Sequence, residues 1–246
     1  MPDNEVAILN RSCGAISDAD AAAIVAALQV QVDRDYAPRW NGGAALTFVA
    51  SDDVTSWAGK WNILLLDRLD TAGPVGSHAL TPEGQPLGHV YVGDDLASGT
   101  APSVTVSHEL LEMLGNPHAN LLVRDKRPTA VGLVFYTFEN CDAVQADELG
   151  YAIDGIQVSD FVLPRYFDSL AAAGPFDFRE HLSGPLTIAP GGYMTVLNID
   201  GTGAWAQLEA PDGGPAAPAA GDPTRPGGGT RKRRIAGPNP RPGPGV

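Results

Sequence analysis

One segment of the chain places a histidine and two acids at the spacing of a single helical turn. Residues 108–118 read HExxExxGxxH, with His108, Glu109 and Glu112 inside five residues. His108 and Glu112 share a helical face because they are four residues apart and 3.6 residues make a turn. Glu109 and Glu112 repel slightly, and a nearby metal cation would offset that repulsion. The segment favours a metal site; the alternative is an amphipathic helix whose polar residues face water.

The order of elements around this segment predicts an α+β fold. Ser17 is a candidate N-cap for a first helix that runs to about Tyr36 and is stopped by Pro38. The motif helix is expected over about 103–114, with Pro102 just before it. Before the motif, strand-like segments occur at 45–50, 61–67 and 89–92. After it the chain is β-rich and irregular, with apolar segments at 132–138, 151–158, 161–167 and 186–197.

Composition bounds the class of protein and its compartment. Hydrophobic residues make up 43% of the 246 residues, which is enough for a core, and no apolar run is long enough to span a bilayer. The N-terminus lacks the basic and apolar regions of a secretory signal, so we expect a cytoplasmic protein or one released without that signal. Two cysteines, Cys13 and Cys141, are too few for a disulfide scaffold.

Residues 211–246 differ from the rest of the chain in composition and charge. They hold nine prolines, nine glycines, six basic and two acidic residues, a net charge of +4 that leaves −17 on residues 1–210. We expect a disordered tail after a folded body. The acidic body argues against nucleic acid as its partner. The basic cluster at 231–234 could contact nucleic acid, anionic lipid or an acidic protein, although a solubilising or tethering tail is the simpler interpretation.

The element order and the motif together resemble the zincin fold. HExxExxGxxH resembles the metzincin signature HExxHxxGxxH, with glutamate at the second ligand position. The resemblance implies a mixed twisted sheet with a backing helix and an active-site helix in an N-terminal subdomain, about 1–116. A β- and loop-rich C-terminal subdomain, about 117–210, would close the cleft. The segments SHELLEMLGNP, ENCD and PGGYM are also similar to bacterial and phage proteins of unsettled function that carry HExxE.

The metzincin resemblance implies a role for each motif residue. Glu109 would be the general base that takes a proton from a metal-bound water. Gly115 would take a positive φ and turn the chain back toward the metal. Met194, in Gly-Gly-Tyr-Met, resembles the methionine of the metzincin Met-turn, with ordinary core as the alternative. The implied metal ligands are His108, Glu112 and His118.

Glutamate at position 112 alters the implied chemistry. A carboxylate in place of an imidazole makes the bound metal less electrophilic and the set of donor atoms harder. Zn²⁺ is the expected metal, and the harder donors make Ca²⁺ or Mn²⁺ alternatives. The glutamate also leaves the third ligand open between His118 and the acids of Glu139-Asn-Cys-Asp142. Those acids could instead be solvated at a strand end. Cys141 between them is either a soft ligand or, more simply, a small buried hydrophobe.

The other histidines are less informative. His78 and His181 lie in loop-like contexts and are expected to be exposed. His89 opens a strand directly before the motif helix, in the place of the zincin edge strand. Such an edge could pair with an extended peptide by backbone hydrogen bonds; the alternative is an ordinary edge strand blunted by Asp94 and Asp95.

Two functions of different classes follow. The leading hypothesis is a metal-dependent hydrolase, a zinc peptidase acting on a peptide or protein substrate with Glu109 as its base. The alternative is a non-catalytic zincin-like scaffold that binds metal structurally, or binds none, and serves as a structural or assembly protein. Binding of nucleic acid or membrane through the basic tail is a third hypothesis, which the charge of the body disfavours.

Overall fold

The computed structural model describes residues 4–53, 57, 59–68, 74–128, 130, 132–198, 204–210 and 219–220. They form an α+β fold with two five-stranded sheets and one small hairpin. The predicted tail lies outside the described residues except for 219–220. None of the helices in the described ranges combines the length and apolarity needed to cross a bilayer. The proposed division of the body near residue 116 stays a prediction.

The first sheet lies in the N-terminal half of the chain. Its strands are β1 (Asn4–Arg11), β2 (Ala44–Val49), β3 (Trp61–Leu66), β4 (Gly76–Leu80) and β5 (Pro86–Tyr91), in the order β2-β1-β3-β5-β4. All are parallel except β4, which pairs antiparallel with β5 at the sheet edge. The expectation that the strand at His89 forms this edge is therefore wrong, because β5 is paired on both sides.

The first helical segment confirms the predicted cap but not the predicted end. Helix α1 (Asp18–Val30) begins after Ser17, whose hydroxyl accepts the Asp20 N–H at 3.1 Å. It continues as a π-helix (Gln31–Tyr36) and then as α2 (Ala37–Trp40). Pro38 therefore does not stop the helix. It lies in the first turn of α2, where the hydrogen-bond register changes and a missing backbone N–H costs little.

Two helices precede or carry the motif. α3 (Val92–Ser98) was not expected from the sequence, whereas α4 (Pro102–Gly115) matches the predicted motif helix. α1 and α4 share one face of the first sheet, since Ile8 of β1 lies in one core with Leu28 of α1 and Leu110 of α4. Every residue of α4 from 103 to 113 is buried. The alternative of an amphipathic helix showing its polar residues to water is therefore wrong.

The C-terminal half contains the second sheet and a hairpin. The sheet has five strands, each paired antiparallel with its neighbours. The predicted Asp-Gly hairpin is present, with Asp154 and Gly155 at φ of 50° and 82°. Pro164 begins a 3₁₀ turn (Pro164–Phe167) where a strand was expected. The hairpin strands are β8 (Tyr151–Ile153) and β9 (Ile156–Val158), and the sheet strands are β6 (Leu122–Arg124), β7 (Val134–Thr137), β10 (Tyr193–Asn198), β11 (Ala204–Glu209) and β12 (Ala219–Ala220). The order in the sheet is β12-β11-β10-β7-β6.

Two buried aspartates lie side by side in this half. Asp160 Oδ1 accepts the backbone N–H groups of Phe161 and Arg179, and Oδ2 lies 3.0 Å from Nδ1 of His181. Burial, together with the neighbouring carboxyl of Asp177, raises the pKa of Asp160 to about 9. The folded protein therefore retains a proton on Asp160 that the unfolded chain releases above about pH 4.

We expect the stability of the protein to fall as pH rises from about 4 to about 9, because the unfolded state then binds fewer protons. Asp160→Asn mimics the protonated carboxyl and should flatten this decline. The free energy of urea unfolding should drop by about 1–3 kcal/mol between about pH 5 and about pH 8 in the wild type, and by clearly less in the variant. Asp33→Asn, at an exposed position, should retain the wild-type slope. Equal slopes in all three proteins would contradict the assignment.

Candidate metal centre

Helix α4 places the three ionisable side chains of the motif in the interior of the protein. His108, Glu109 and Glu112 are all 0% exposed. The rotation of the helix is fixed by Ser107, whose hydroxyl donates to Oε1 of Gln31 at 2.7 Å and accepts the N–H of Ser159 at 3.0 Å. These contacts join α4 to the π-helix and to the C-terminal half, so the motif residues are held in one orientation.

Asp142 converges with the motif on one side of Glu112. Nε2 of His108 lies 3.3 Å from Oε1 of Glu112 and 3.3 Å from Oδ1 of Asp142. Glu112 Oε1 also accepts the N–H of Cys141 at 3.2 Å. The hydroxyl of Tyr193 hydrogen-bonds to Asp142 from β10. Of the sequence alternatives for a third ligand, Asp142 is therefore the one that contacts His108. The group whose donor atoms all lie within 4.8 Å of one another joins His108 and Glu112 to Cys141, so Asp142 approaches this pair through the histidine.

His78 approaches Glu112 from the opposite side. Its Nδ1 lies 3.3 Å from Oε2 of Glu109 and 3.5 Å from Oε2 of Glu112, and its Nε2 lies 3.6 Å from Oε2 of Glu139. The expectation that His78 is exposed in a loop is wrong: it lies on β4 and is 1% exposed. Together these side chains form the buried cluster, which consists of His78, His108, Glu109, Glu112, Glu139 and Asp142.

The hairpin that carries His78 has a sequence signal from which the hairpin could have been predicted. Residues 81–85 read TPEGQ between two short strand-like segments, and Gly84 takes a φ of 81° in the turn. Thr81 and Gln85 close this turn, with a backbone N–H to O distance of 2.8 Å. A Pro-x-Gly turn between short apolar segments favours a hairpin, which would have put His78 on a strand next to the motif helix.

The structure does not bring His118 into the buried cluster. Its side chain is exposed in the turn after α4, whereas the side chains of the cluster are buried. Gly115 does not take the positive φ that would return the chain, because it is still helical. Asn116 instead directs the chain outward, its Oδ1 accepting the N–H groups of Asn120 and Leu121.

Gly115 has a packing role in place of a turning one. A Cβ there would collide with Nδ2 of Asn140. That amide donates to the Leu111 carbonyl at 2.9 Å and to the Tyr36 hydroxyl at 2.8 Å. Because Asn140 lies between Glu139 and Asp142 in sequence, these bonds hold both acids against α4.

Six nitrogen and oxygen atoms of the cluster are buried without a hydrogen-bond partner among the described residues. Burying such atoms unpaired is costly, and a bound ion is one of the few features that explains it. Two ligand atoms that each lie about 2.1 Å from a tetrahedral ion are about 3.4 Å apart. The N–O distances of 3.3–3.6 Å in the cluster match this spacing. The six atoms are Nε2 of His78, Nδ1 and Nε2 of His108, Oε2 of Glu112, Oε2 of Glu139 and Oδ1 of Asp142.

Crowding of buried acids shifts the proton affinities of the cluster. Burial, followed by the Glu112 carboxylate, raises the pKa of Glu139 well above its ordinary value and that of Asp142 to about 7. Burial acts to lower the pKa of His108, but Glu112 and Asp142 outweigh it and raise this pKa to about 10. The cluster is therefore an environment that favours positive charge.

Cys141 and Met194 have simpler explanations. Cys141 can place Sγ near His108 and Glu112, but burial raises the pKa of its thiol well above the ordinary value and it packs in the hydrophobic core. Met194 is 5% exposed in the second core, with its sulfur 2.9 Å from the Tyr166 hydroxyl. The structure thus places both side chains in hydrophobic surroundings.

Gly76 lets strand β4 approach Glu109. A Cβ at position 76 would collide with the Glu109 carboxylate and with Cγ2 of Thr105. We expect Gly76→Ala to lower the free energy of urea unfolding by about 1–3 kcal/mol, since overpacked sites relax by shifting the backbone. Gly42→Ala is the matched control, because a Cβ there meets nothing within 4 Å. A variant at position 76 as stable as this control would show that Glu109 lies elsewhere.

A surface cleft of about 490 Å³ opens beside the cluster. Glu139 is the cluster residue that lines it. Leu80, Leu121 and Leu122 are 39–47% exposed on its walls. The cleft is therefore an apolar depression with an acid of the cluster at its surface. Its lining consists of Ala79, Leu80, His118, Ala119, Asn120, Leu121, Leu122, Thr137, Glu139 and Trp205.

Comparisons of the chain with protein-family models, with curated proteins and with solved structures found no match. Function is therefore inferred from the residues of the site and their distances.

Proposed function

We propose that this chain is a metal-dependent hydrolase, a zinc peptidase on a zincin-like fold. The observation that carries the proposal is the arrangement of His108, Glu112 and Asp142, with Nε2 of the histidine 3.3 Å from an oxygen of each acid. One imidazole and two carboxylates supply three ligands and leave further positions for water and substrate. Zn²⁺ is the first candidate, and Mn²⁺ or Ca²⁺ are alternatives because the donors are mostly oxygen.

Glu109 is the proposed general base. A bound dication would polarise the scissile carbonyl and lower the pKa of its water. Glu109 lies next to the ligands on the same helix, and Nδ1 of His78, 3.3 Å from its Oε2, orients the carboxylate. Burial raises the pKa of Glu109 above its ordinary value. A carboxylate of raised pKa accepts and returns a proton more readily near neutral pH.

The arrangement of elements around the cluster supports a peptide substrate. β4 is an antiparallel edge strand, and its residues Ala79 and Leu80 line the cleft beside the cluster. An extended peptide can add to such an edge by backbone hydrogen bonds. The exposed Leu121 and Leu122, which also line the cleft, would contact apolar side chains of that peptide. The sheet and the two helices on one face are also the arrangement implied by the zincin resemblance.

Burial of the cluster favours a second candidate function. The six side chains are at most 6% exposed, and closed metal sites are typical of structural rather than catalytic ions. On this alternative the chain is a metal-binding scaffold of a structural or assembly protein. It would hold the same ion but hydrolyse nothing.

Metal analysis combined with a peptidase assay tests the proposal. Full-length protein purified without added metal should carry about one or more equivalents of a divalent metal and cleave a mixed library of fluorogenic peptides. His108→Ala should lose both properties, whereas His118→Ala, at an exposed position, should keep its metal. Metal without cleavage would support the scaffold. Less than about one-tenth of an equivalent after metal is offered would overturn the hydrolase and favour a scaffold that binds no metal.

A further inference from the structure

We propose that the cluster holds two metal ions, with Glu112 as the carboxylate that bridges them. The first site is the one assigned above, His108 with Glu112 and Asp142, so the inference rests on the proposed function. The second site is formed by His78, Glu112 and Glu139. The centre is therefore dinuclear, and its two halves share one side chain of α4.

The two oxygens of Glu112 face different histidines. Oε1 lies 3.3 Å from Nε2 of His108, and Oε2 lies 3.5 Å from the His78 ring at its Nδ1. Nδ1 of His78 is the atom next to Glu109, so Nε2, which lies 3.6 Å from Oε2 of Glu139, is the nitrogen that would bind the second ion. The distances of 3.3 Å and 3.6 Å match the spacing of two ligands on one ion. A carboxylate whose oxygens each face a separate set of donors is suited to bridge ions about 3.5–4 Å apart.

The second site has a complete set of donors of its own. His78, Glu112 and Glu139 can each place one ligand atom within 4.8 Å of the other two, and all three are buried. Nε2 of His78, Oε2 of Glu112 and Oε2 of Glu139 have no hydrogen-bond partner among the described residues. Asn116 donates to the other oxygen of Glu139 at 3.3 Å, which leaves Oε2 directed at His78. An ion at the first site alone would leave these atoms unsatisfied.

The count of charges in the cluster agrees with two ions. Ligands must be deprotonated to bind metal. With both imidazoles neutral, the charge of the cluster comes from its four carboxylates, which are buried beside His78 and His108. One dication bound by Glu112 and Asp142 would leave Glu109 and Glu139 to be balanced by protons, whereas two dications balance all four carboxylates. The four carboxylates are those of Glu109, Glu112, Glu139 and Asp142.

The two ions differ in their access to solvent. Glu139 lines the cleft, whereas His108 is 0% exposed and is not among the lining residues. The second ion is therefore the one nearer to bound substrate, and the one that leaves first on dialysis. Its place in hydrolysis would be to hold a substrate oxygen while the first ion activates water.

Loading the full-length protein with Mn²⁺ tests the second site. We expect two equivalents per chain and an electron paramagnetic resonance spectrum of a magnetically coupled pair. Glu139→Gln, which removes a ligand of the second site, should bind one equivalent and give the spectrum of isolated Mn²⁺. Asp142→Asn, which removes a ligand of the first site, should also bind one equivalent and give that spectrum. The wild-type spectrum is informative even if a variant fails to fold.

Two further outcomes separate the possibilities. One equivalent with an uncoupled spectrum in the wild type would overturn the second ion and leave the proposed function intact, while no bound metal would overturn both. Asp160, Asp177 and His181 form a separate group of possible ligands. Asp160→Asn should therefore still bind two coupled ions; a fall to one equivalent would place the second ion there and overturn the dinuclear centre.

Discussion

Replacing Glu109 with glutamine should lower the rate of peptide hydrolysis by about 10²–10⁴-fold without removing the metal. Glutamine has nearly the same shape and still offers an oxygen to Nδ1 of His78, so the strand and helix around it need not move. It cannot take a proton from water, however. The measurement is kcat for a fluorogenic peptide together with the metal content of the same sample.

Glu148→Gln is the matched control for this variant, because it makes the same chemical change at an exposed position. It should retain wild-type kcat. Undiminished hydrolysis by the Glu109 variant would exclude Glu109 as the base and end the proposed mechanism. Loss of metal together with activity would instead make Glu109 a ligand.

Removing metal from the wild type should lower the temperature of thermal unfolding by about 8–16 °C. An ion present at about 1,000 times its dissociation constant contributes about 4 kcal/mol, and each kcal/mol shifts the midpoint by about 2–4 °C in a domain of this size. Without the ion, the buried acids of the cluster repel each other and must take up protons. Calorimetry with and without a chelator measures the shift.

His108→Ala provides the comparison for the chelator experiment. This variant should already unfold at the lower temperature and should not respond to the chelator. Restoring Zn²⁺ or Mn²⁺ should return the wild type, and not the variant, to its original midpoint. If a chelator that strips the metal leaves the wild-type midpoint unchanged, the unpaired atoms of the cluster do not bind the ion.

The sequence predicted the parts of the site that depend on local spacing. Helix α4 follows from Pro102 and the apolar residues around His108, and Ser17 marks the start of α1. Asp142 was among the alternatives for a third ligand, because an acid after an apolar strand can reach a neighbouring subdomain. The choice between Asp142 and His118 could not be made, since it depends on how the chain leaves α4.

The parts that the sequence did not predict depend on contacts between distant segments. His78 enters the site because β4 pairs with β5 and lies over α4, and five residues of β4 carry no strong pattern of their own. Pro38 is tolerated because a π-helix precedes it. The metzincin signature predicted a return of the chain at Gly115, but Gly115 stays helical and its missing side chain leaves room for Asn140.

The donors of the proposed metal centre come from three separate segments, and this origin has a consequence for how the centre would acquire an ion. His78, the α4 ligands and Asp142 meet only after the β4 hairpin has paired and Asn140 has bonded to the Leu111 carbonyl. A nascent chain therefore offers no complete chelate until residues beyond 142 have been synthesised and docked. Free donors bind divalent metals in the Irving–Williams order. If the proposed centre assembles late, the metals available in the compartment where the chain folds would therefore decide which ion it binds.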